Sequence, residues 1–373
     1  MTLKRKLIFA LLPALIVCAL AYLGFVFQRS RVIYEYMKSG QRVLEGKMFA
    51  NDALTGFAPI PCGEGTQLNQ GYETPVKFDQ RGFRIPVGGD CYRPLNRPLV
   101  LSLGDSFAFG HGISAKDTFT RLIALGLNGT DLNAGMPSYG LAHMVLQAEK
   151  LIPQYKPDYC LVQYSPWLAD RALTVYGTSY PAKLGQPYLA RDRSGNVMLS
   201  PPLFRTITFD LPFYRYHNER RGAPEFLSLF KNVAAPMIIH DDMVELEVDA
   251  KLMAGAAPKP LPLKDRQAAV DFAYRRIEKI CAENNVKMVV VEIFLPDLSY
   301  PNLKLPTLDR AIIVDTRPGL FSHLSENTNE AYYLAYGQQA GNPSKVVDKH
   351  PNELAHRIIA EQILNAISRQ GGS

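Results

Sequence analysis

From Pro98 onward, short apolar runs alternate with amphipathic segments, and this alternation most constrains what the chain can fold into. Leu99 to Leu103 is a short apolar run that stops at Gly104, as a strand buried on both faces does. The spacing predicts a helix from about Asp117 to Leu127 and a short strand around Asp131 to Ala134. A second helix follows near Leu141 to Leu151, with Leu141, Val145, Ala148 and Leu151 on one face. Tyr159 to Tyr164 reads as the next strand. After an interruption the rhythm resumes with a helix at about Arg266 to Glu283, a strand at Met288 to Phe294, and another at Ala311 to Val314. A last helix starts at Pro351, a good first helical position, and should bury Leu354, Ile358, Ile359, Ile363 and Ile367. Strands and helices alternating over short links pack as a parallel sheet with helices on both faces. The expected class is α/β, in three α/β/α layers, over residues 98–369.

Two regions break the rhythm. Residues 171–264 hold many prolines and aromatics (Pro181, Pro187, Pro201, Pro202, Tyr214, Tyr216) without a clean period, which suggests an insertion laid over the core. Residues 51–97 are rich in Gly, Pro and Asn and read as an irregular lead-in packed on the main domain. Before them, Val32, Ile33, Tyr36, Met37, Val43 and Leu44 recur at helical spacing, so a stalk helix is expected over Arg31 to Leu44. Residues 29–97 are thus a stalk and lead-in.

The stretch Leu7 to Phe27 contains no charged side chain and follows Lys4, Arg5 and Lys6. A helix of that length reaches roughly 30 Å, enough to cross the hydrocarbon of a bilayer. Ala19-Leu20-Ala21 also resembles a signal-peptidase site, but Tyr22 to Phe27 continue the apolar run without a polar break. Residues 1–28 are expected to be an uncleaved transmembrane anchor with a short basic tail. The rest of the chain is then expected on the far side of a bacterial inner membrane, facing the periplasm or the cell exterior. Arg29, Arg31, Lys38, Arg42 and Lys47 follow the span, so counting basic residues does not by itself fix the orientation.

Composition removes several functions. At 47% hydrophobic and 20% charged residues, the bulk of the chain is globular rather than disordered. A net charge of +6 spread without a basic stripe, and without aromatics among basic clusters, gives no support to nucleic-acid binding. Cys160 and Cys281 sit in a strand and a helix as buried free thiols. Cys62 and Cys91 flank an irregular segment; in an oxidising compartment they either pair or stay free. No Cys-x-x-Cys or His-x-x-x-His spacing marks a metal site.

In an open parallel sheet, ligands bind beyond the carboxyl ends of the strands. There the sequence places Gly104-Asp105-Ser106, Asn133-Ala134-Gly135 and Ser165-Pro166-Trp167, with Asp348-Lys349-His350 before the last helix. A serine, a glycine amide and an Asp/His pair converging on one edge are the parts acyl transfer requires. His111 and His143 lie near these segments but not at the base position, so at most they support the site. His356 is expected on the surface of the last helix.

The run Leu103-Gly104-Asp105-Ser106-Phe107 with Gly110, then Asn133-Ala134-Gly135, then Asp348-Lys349-His350-Pro351-Asn352, resembles the blocks of the SGNH/GDSL hydrolase superfamily. Phe78 to Arg84, ending Arg81-Gly82-Phe83-Arg84, resembles a lead-in of its membrane-anchored bacterial members. The likeness covers about residues 72–170 and 266–369. It implies a flavodoxin-like sheet and an enzyme that hydrolyses or transfers esters, often acyl groups on glycans or lipids, without cofactor or metal. Ser106 would be the nucleophile, His350 its base and Asp348 the orienter, with the amides of Ser106 and Gly135 as oxyanion donors. Asp105, Asn133 and Trp167 are candidate substrate contacts. The family's third block carries an Asn in the oxyanion hole, whereas Tyr164 to Asp170 contains none. Losing such a donor costs about 100- to 1,000-fold in rate. Asp348 also stands two residues before His350, where three is the widespread spacing.

The expected function is an extracytoplasmic serine esterase or O-acyltransferase on an acylated, in particular acetylated, glycan. The alternatives are a non-catalytic carbohydrate-binding or polysaccharide-assembly protein that keeps the fold, and a lipid esterase with residues 171–264 as its lid.

Overall fold

A computed structural model describes residues 3–38, 43–69, 72–177, 183–206, 226–298, 300, 303–341 and 345–371. Pro181, Tyr214 and Tyr216 of the insertion lie outside the described residues. The centre is one nine-stranded sheet. Its strands in chain order are β1 (Val43–Asp52), β2 (Gly56–Asn69), β3 (Tyr72–Phe78), β4 (Arg84–Ile85), β5 (Leu99–Leu103), β6 (Thr130–Asn133), β7 (Tyr159–Tyr164), β8 (Lys287–Glu292) and β9 (Ile312–Asp315). The spatial order is β1-β2-β3-β4-β6-β5-β7-β8-β9. The pairs from β6 through β5, β7 and β8 to β9 are parallel, with Leu101 opposite both Leu132 and Cys160.

The helices are α1 (Leu3–Lys38), α2 (Ser106–Phe109), α3 (Phe119–Gly126), α4 (Leu141–Tyr155), α5 (Trp167–Ala172), α6 (Phe226–Leu229), α7 (Ala235–Met253), α8 (Arg266–Glu283), α9 (Arg317–Ser322), α10 (Asn329–Tyr336) and α11 (Glu353–Gly371). Side chains alternate across the strands and feed two cores. Leu101, Leu103, Val162 and Val290 meet α4, α5 and α8 on one face, through residues such as Val145, Leu168 and Ile277. Val100, Leu161, Val289 and Val291 meet α3, α10 and α11 on the other, through Ile123, Tyr336 and Ile363. This is the three-layer arrangement that the alternation implies.

The structure departs from the sequence expectations where tertiary context decides. Residues 51–85 are not irregular: β1, β2 and β3 form an antiparallel meander that β4 joins to β6, and residues 86–97 run without strand or helix. Its strands carry Pro59, Pro75 and several glycines, so no period shows, yet pairing with neighbours holds them. Met48, Phe49, Phe57, Val76 and Phe78 bury one side against Phe109, just beyond Ser106. Cys62 and Cys91 are paired, with Cα atoms 5.5 Å apart. The stalk helix is the continuation of α1, which ends at Lys38, and Val43 and Leu44 already belong to β1.

Helix α11 begins at Glu353 rather than Pro351, because Asn352 caps it by accepting from the Ala355 amide at 3.1 Å. Leu354 is half exposed and Ala355 takes the buried position instead. His356 is fully buried, against the expectation of a surface site. Its Nδ1 accepts from the Phe119 amide at 3.1 Å, and its ring stacks on Phe119. The insertion supplies the hairpin Tyr188–Arg191/Val197–Ser200 and the 19-residue α7. Helix α1 is long and apolar enough to cross a membrane over Leu11–Glu35, by length and composition. A signal sequence shares those properties.

Candidate active site

Ser106 stands where β5 gives way to α2. Asp105 caps that turn by accepting from the Phe107 amide at 2.9 Å, and Gly110 closes it in the left-handed conformation, φ 82°. Gly104 has to be glycine, since a Cβ there would come within 2.7 Å of that of Ala108. From β7, Gln163 Oε1 accepts from the amides of Asp105 and Ala108 at 3.1 and 3.3 Å, which fixes the turn to the sheet.

His350 arrives from the far end of the chain, after the hairpin Gln338–Ala340/Lys345–Asp348. Its Nε2 lies 2.8 Å from Ser106 Oγ, and its Nδ1 lies 2.5 Å from Asp348 Oδ1. The same Asp348 oxygen accepts from the His350 amide at 3.0 Å, so carboxylate and imidazole are locked to one loop. Asn352 anchors that loop by donating to the carbonyls of Ala335 and Gly337. Ser106 is 6% exposed, which gives the three groups a nearly dry setting. A hydroxyl, a base within hydrogen-bond reach and an oriented carboxylate are the geometry of an activated nucleophile.

The fold is a three-layer α/β/α arrangement on a sheet that is parallel at its centre, as the resemblance to the SGNH/GDSL hydrolases implies. Each block of that superfamily matched in the sequence falls beyond a strand end on one edge of the sheet, or in the loop before α11. No protein-family model and no curated protein sequence matches the chain. Among solved structures it is similar to a catalytic mutant of an acetylxylan esterase from Geobacillus stearothermophilus, at TM-score 0.34 and 12% identity over 73% of this chain and 94% of that one. It is also similar to an esterase from Pseudoalteromonas sp., at TM-score 0.33 and 13% identity over 74% and 100%. A carbohydrate esterase family 2 enzyme with a carbohydrate-binding domain, from Corynascus thermopiles, gives TM-score 0.35 and 12% identity over 82% and 73%.

The remaining candidate residues are engaged by partners within the protein. Asp105 faces inward, fully buried, and its Oδ2 accepts from Trp167 Nε1 and Arg171, each at 2.8 Å; it orders the turn and has no surface for substrate. Gly135, expected as an oxyanion donor, directs its amide to Asn133 Oδ1 at 3.0 Å. A Cβ on Gly135 would lie 2.4 Å from the Phe109 nitrogen, so glycine is there for close approach. Asn133 is likewise structural: its Nδ2 donates to the Ala108 carbonyl at 3.0 Å. Trp167 begins α5, partly exposed, with its ring 5.1 Å from that of Phe107. The Ser106 amide, at the first position of α2, has no acceptor among the described residues.

Three further residues border the site, of which only Tyr72 had no signal in the sequence. Tyr72, from β3, donates its hydroxyl to Asp348 Oδ2 at 3.2 Å. His111 packs against His350 with ring centroids 4.4 Å apart and planes tilted by 39°, its Nε2 3.8 Å from Asp348 Oδ2. Arg84 is completely buried and donates to the carbonyls of Phe109, Gly110 and Ile113 at 2.5 to 2.6 Å, fixing the chain that leaves α2. Burial pulls its pKa down to about 9. His143 is not part of the site: its Nδ1 accepts from the Gly140 amide, its Nε2 meets the Thr55 carbonyl, and burial lowers its pKa to about 3.

His111, Asp348 and His350 bring three potential metal-ligand atoms within 4.8 Å of one another. Both ring nitrogens of His350 are already engaged, by Ser106 and Asp348, so a metal there would have to displace the serine. The donor set suits proton transfer better than coordination.

Proposed function

We propose that the chain is a membrane-tethered serine esterase or O-acyltransferase, facing outward, that forms an acyl-enzyme at Ser106 on an acylated glycan. The 2.8 Å contact between His350 Nε2 and Ser106 Oγ carries this reading. As Ser106 Oγ attacks the ester carbonyl, its proton passes to His350 Nε2. Asp348 holds the imidazole with Nδ1–H directed at itself and stabilises the imidazolium. The departing alcohol takes the proton from Nε2, leaving the acyl group on Ser106. Water, or a glycan hydroxyl, then attacks the acyl carbonyl and gives its proton to His350 Nε2; the acyl–Oγ bond breaks as Ser106 Oγ takes that proton back, which gives hydrolysis or transfer. The developing oxyanion is received by the Ser106 amide. Tethering by α1 places envelope glycans within reach of the site.

The test is labelling by a fluorophosphonate probe together with turnover of a chromogenic acetyl ester. Ser106→Ala should abolish both, and a chain that neither labels nor turns over would overturn the proposal. The occupied Gly135 amide favours a second reading, a glycan-binding protein without turnover. It requires glycan binding that persists undiminished in Ser106→Ala.

A further inference from the structure

Helix α7 packs Met237, Ile238, Val244 and Val248 inward, two of them on Val175, Tyr188 and Ala190 of the insertion. On its opposite side Ile239, Met243, Leu246, Ala250 and Met253 follow one another at intervals of three and four residues, a single stripe at helical period. Ile239, Met243, Leu246 and Met253 are 42%, 62%, 66% and 80% exposed, so nothing among the described residues covers them. Acidic residues border the stripe: Asp242 and Asp249 on one side, Glu247 on the other. Such a helix buries one face in the protein and offers the other to an apolar phase.

What that phase is follows from where α7 sits. Asp242 accepts from Arg29 at 2.8 Å and from the Tyr22 hydroxyl at 3.2 Å, so α7 meets α1 where its uncharged run ends. Phe226 and Phe230, just before α7, pack on Phe27 with ring centroids 5.0 and 5.5 Å away. The aromatic and Arg-rich junction is of the kind that settles at a membrane–water interface. From that level toward the N-terminus, α1 exposes Leu11, Leu15, Leu20, Leu23 and Phe25, all about half open or more. The stripe on α7 and the apolar surface of α1 are therefore neighbours at one level.

We propose that α7 is an interfacial helix, its Ile239–Met253 stripe seated in the headgroup–acyl boundary of the same bilayer that α1 crosses. The domain is then held against the membrane by two contacts rather than swinging from one. This inference rests on the anchor reading of α1. The test uses the full chain in proteoliposomes made with acyl-brominated phosphatidylcholine. Trp167 is the only native tryptophan, so Met243→Trp, Leu246→Trp and, on the polar border, Glu247→Trp each add one probe. Emission from the first two should be blue-shifted and lose at least half its added intensity relative to unbrominated lipid, while the third keeps its own. Equal quenching at all three, or none at the first two, overturns the proposal, including the case where the chain is found to self-associate through this face. Alkaline carbonate extraction of the wild type separates the two readings. Release from the membrane overturns the anchor and the interfacial helix with it, whereas retention without quenching overturns the interfacial helix alone.

Discussion

At the scale of single residues, the hydrogen-bond partners of each candidate separate chemistry from scaffolding. Asp348 and Asp105 are both carboxylates beside the nucleophile, yet only Asp348 faces the imidazole, while Asp105 spends its acceptors on an amide, an indole and a guanidinium. Asp348→Asn keeps the size and loses the charge that fixes the His350 tautomer. The acetyl-ester kcat should fall about 10⁴-fold, with KM little changed, as expected when the wrong tautomer faces the hydroxyl. A drop below tenfold would mean Asp348 does not orient the base. The meeting of Ser106, His350 and Asp348 was legible in the sequence because they sit in two short blocks, one at a predictable strand end and one just before the last helix. Tyr72 was not, because its partner Asp348 is 276 residues away and nothing local marks the pairing. The engagement of the Gly135 amide was illegible for the converse reason. A glycine after a strand signals a backbone need, here contact with Phe109, without saying whether its amide is free.

At the scale of elements, legibility followed burial. Strands β5, β7 and β8 are buried on both faces and read directly as apolar runs. The meander β1–β3 escaped because pairing defines it and its sequence is broken by proline and glycine. It matters to the site through two ties. Arg84, in β4, holds the exit of α2, so Arg84→Met would leave three buried carbonyls without a donor; about 3 kcal/mol of stability should be lost. Arg84→Lys should not restore it, since one ammonium cannot span three carbonyls as the guanidinium fork does. Urea unfolding of the variants checks both statements, and wild-type stability in Arg84→Met would refute the role. The second tie is the disulfide, which closes a 29-residue separation between β2 and the loop before β5. The chain-entropy model gives about 3 to 4 kcal/mol for such a loop, so reduction should lower the denaturant midpoint without exposing Ser106 chemistry to loss under native conditions. Activity lost at once on reduction would show that the meander also shapes the site.

At the scale of the whole molecule, the sheet is clasped to its surroundings by neutral histidines, and this sets how the fold responds to acid. His143 joins α4 to the turn between β1 and β2, and His356 joins α11 to the start of α3. Burial holds the pKa of each at about 3, and for His356 the charges of Arg84 and His350 push the same way. In the unfolded chain both titrate near 6.5. The folded state therefore binds fewer protons than the unfolded state between about pH 6.5 and 3. Above that window neither histidine affects stability, and within it stability falls as pH falls, by about 1.4 kcal/mol per pH unit for each histidine. Asp241 works in the opposite direction: burial raises its pKa to about 6, so its contribution improves as pH drops through that value. A wild-type profile alone would mix these slopes, and the histidine share is isolated by comparison with His356→Gln. That variant can keep an acceptor near the Phe119 amide and cannot take up a proton. Its unfolding free energy should fall less steeply than that of the wild type between pH 5.5 and 4, by about 1.4 kcal/mol per pH unit. Parallel profiles for the two proteins would show that His356 is protonated in the folded state, and the clasp between α3 and α11 would then have to tolerate a buried charge.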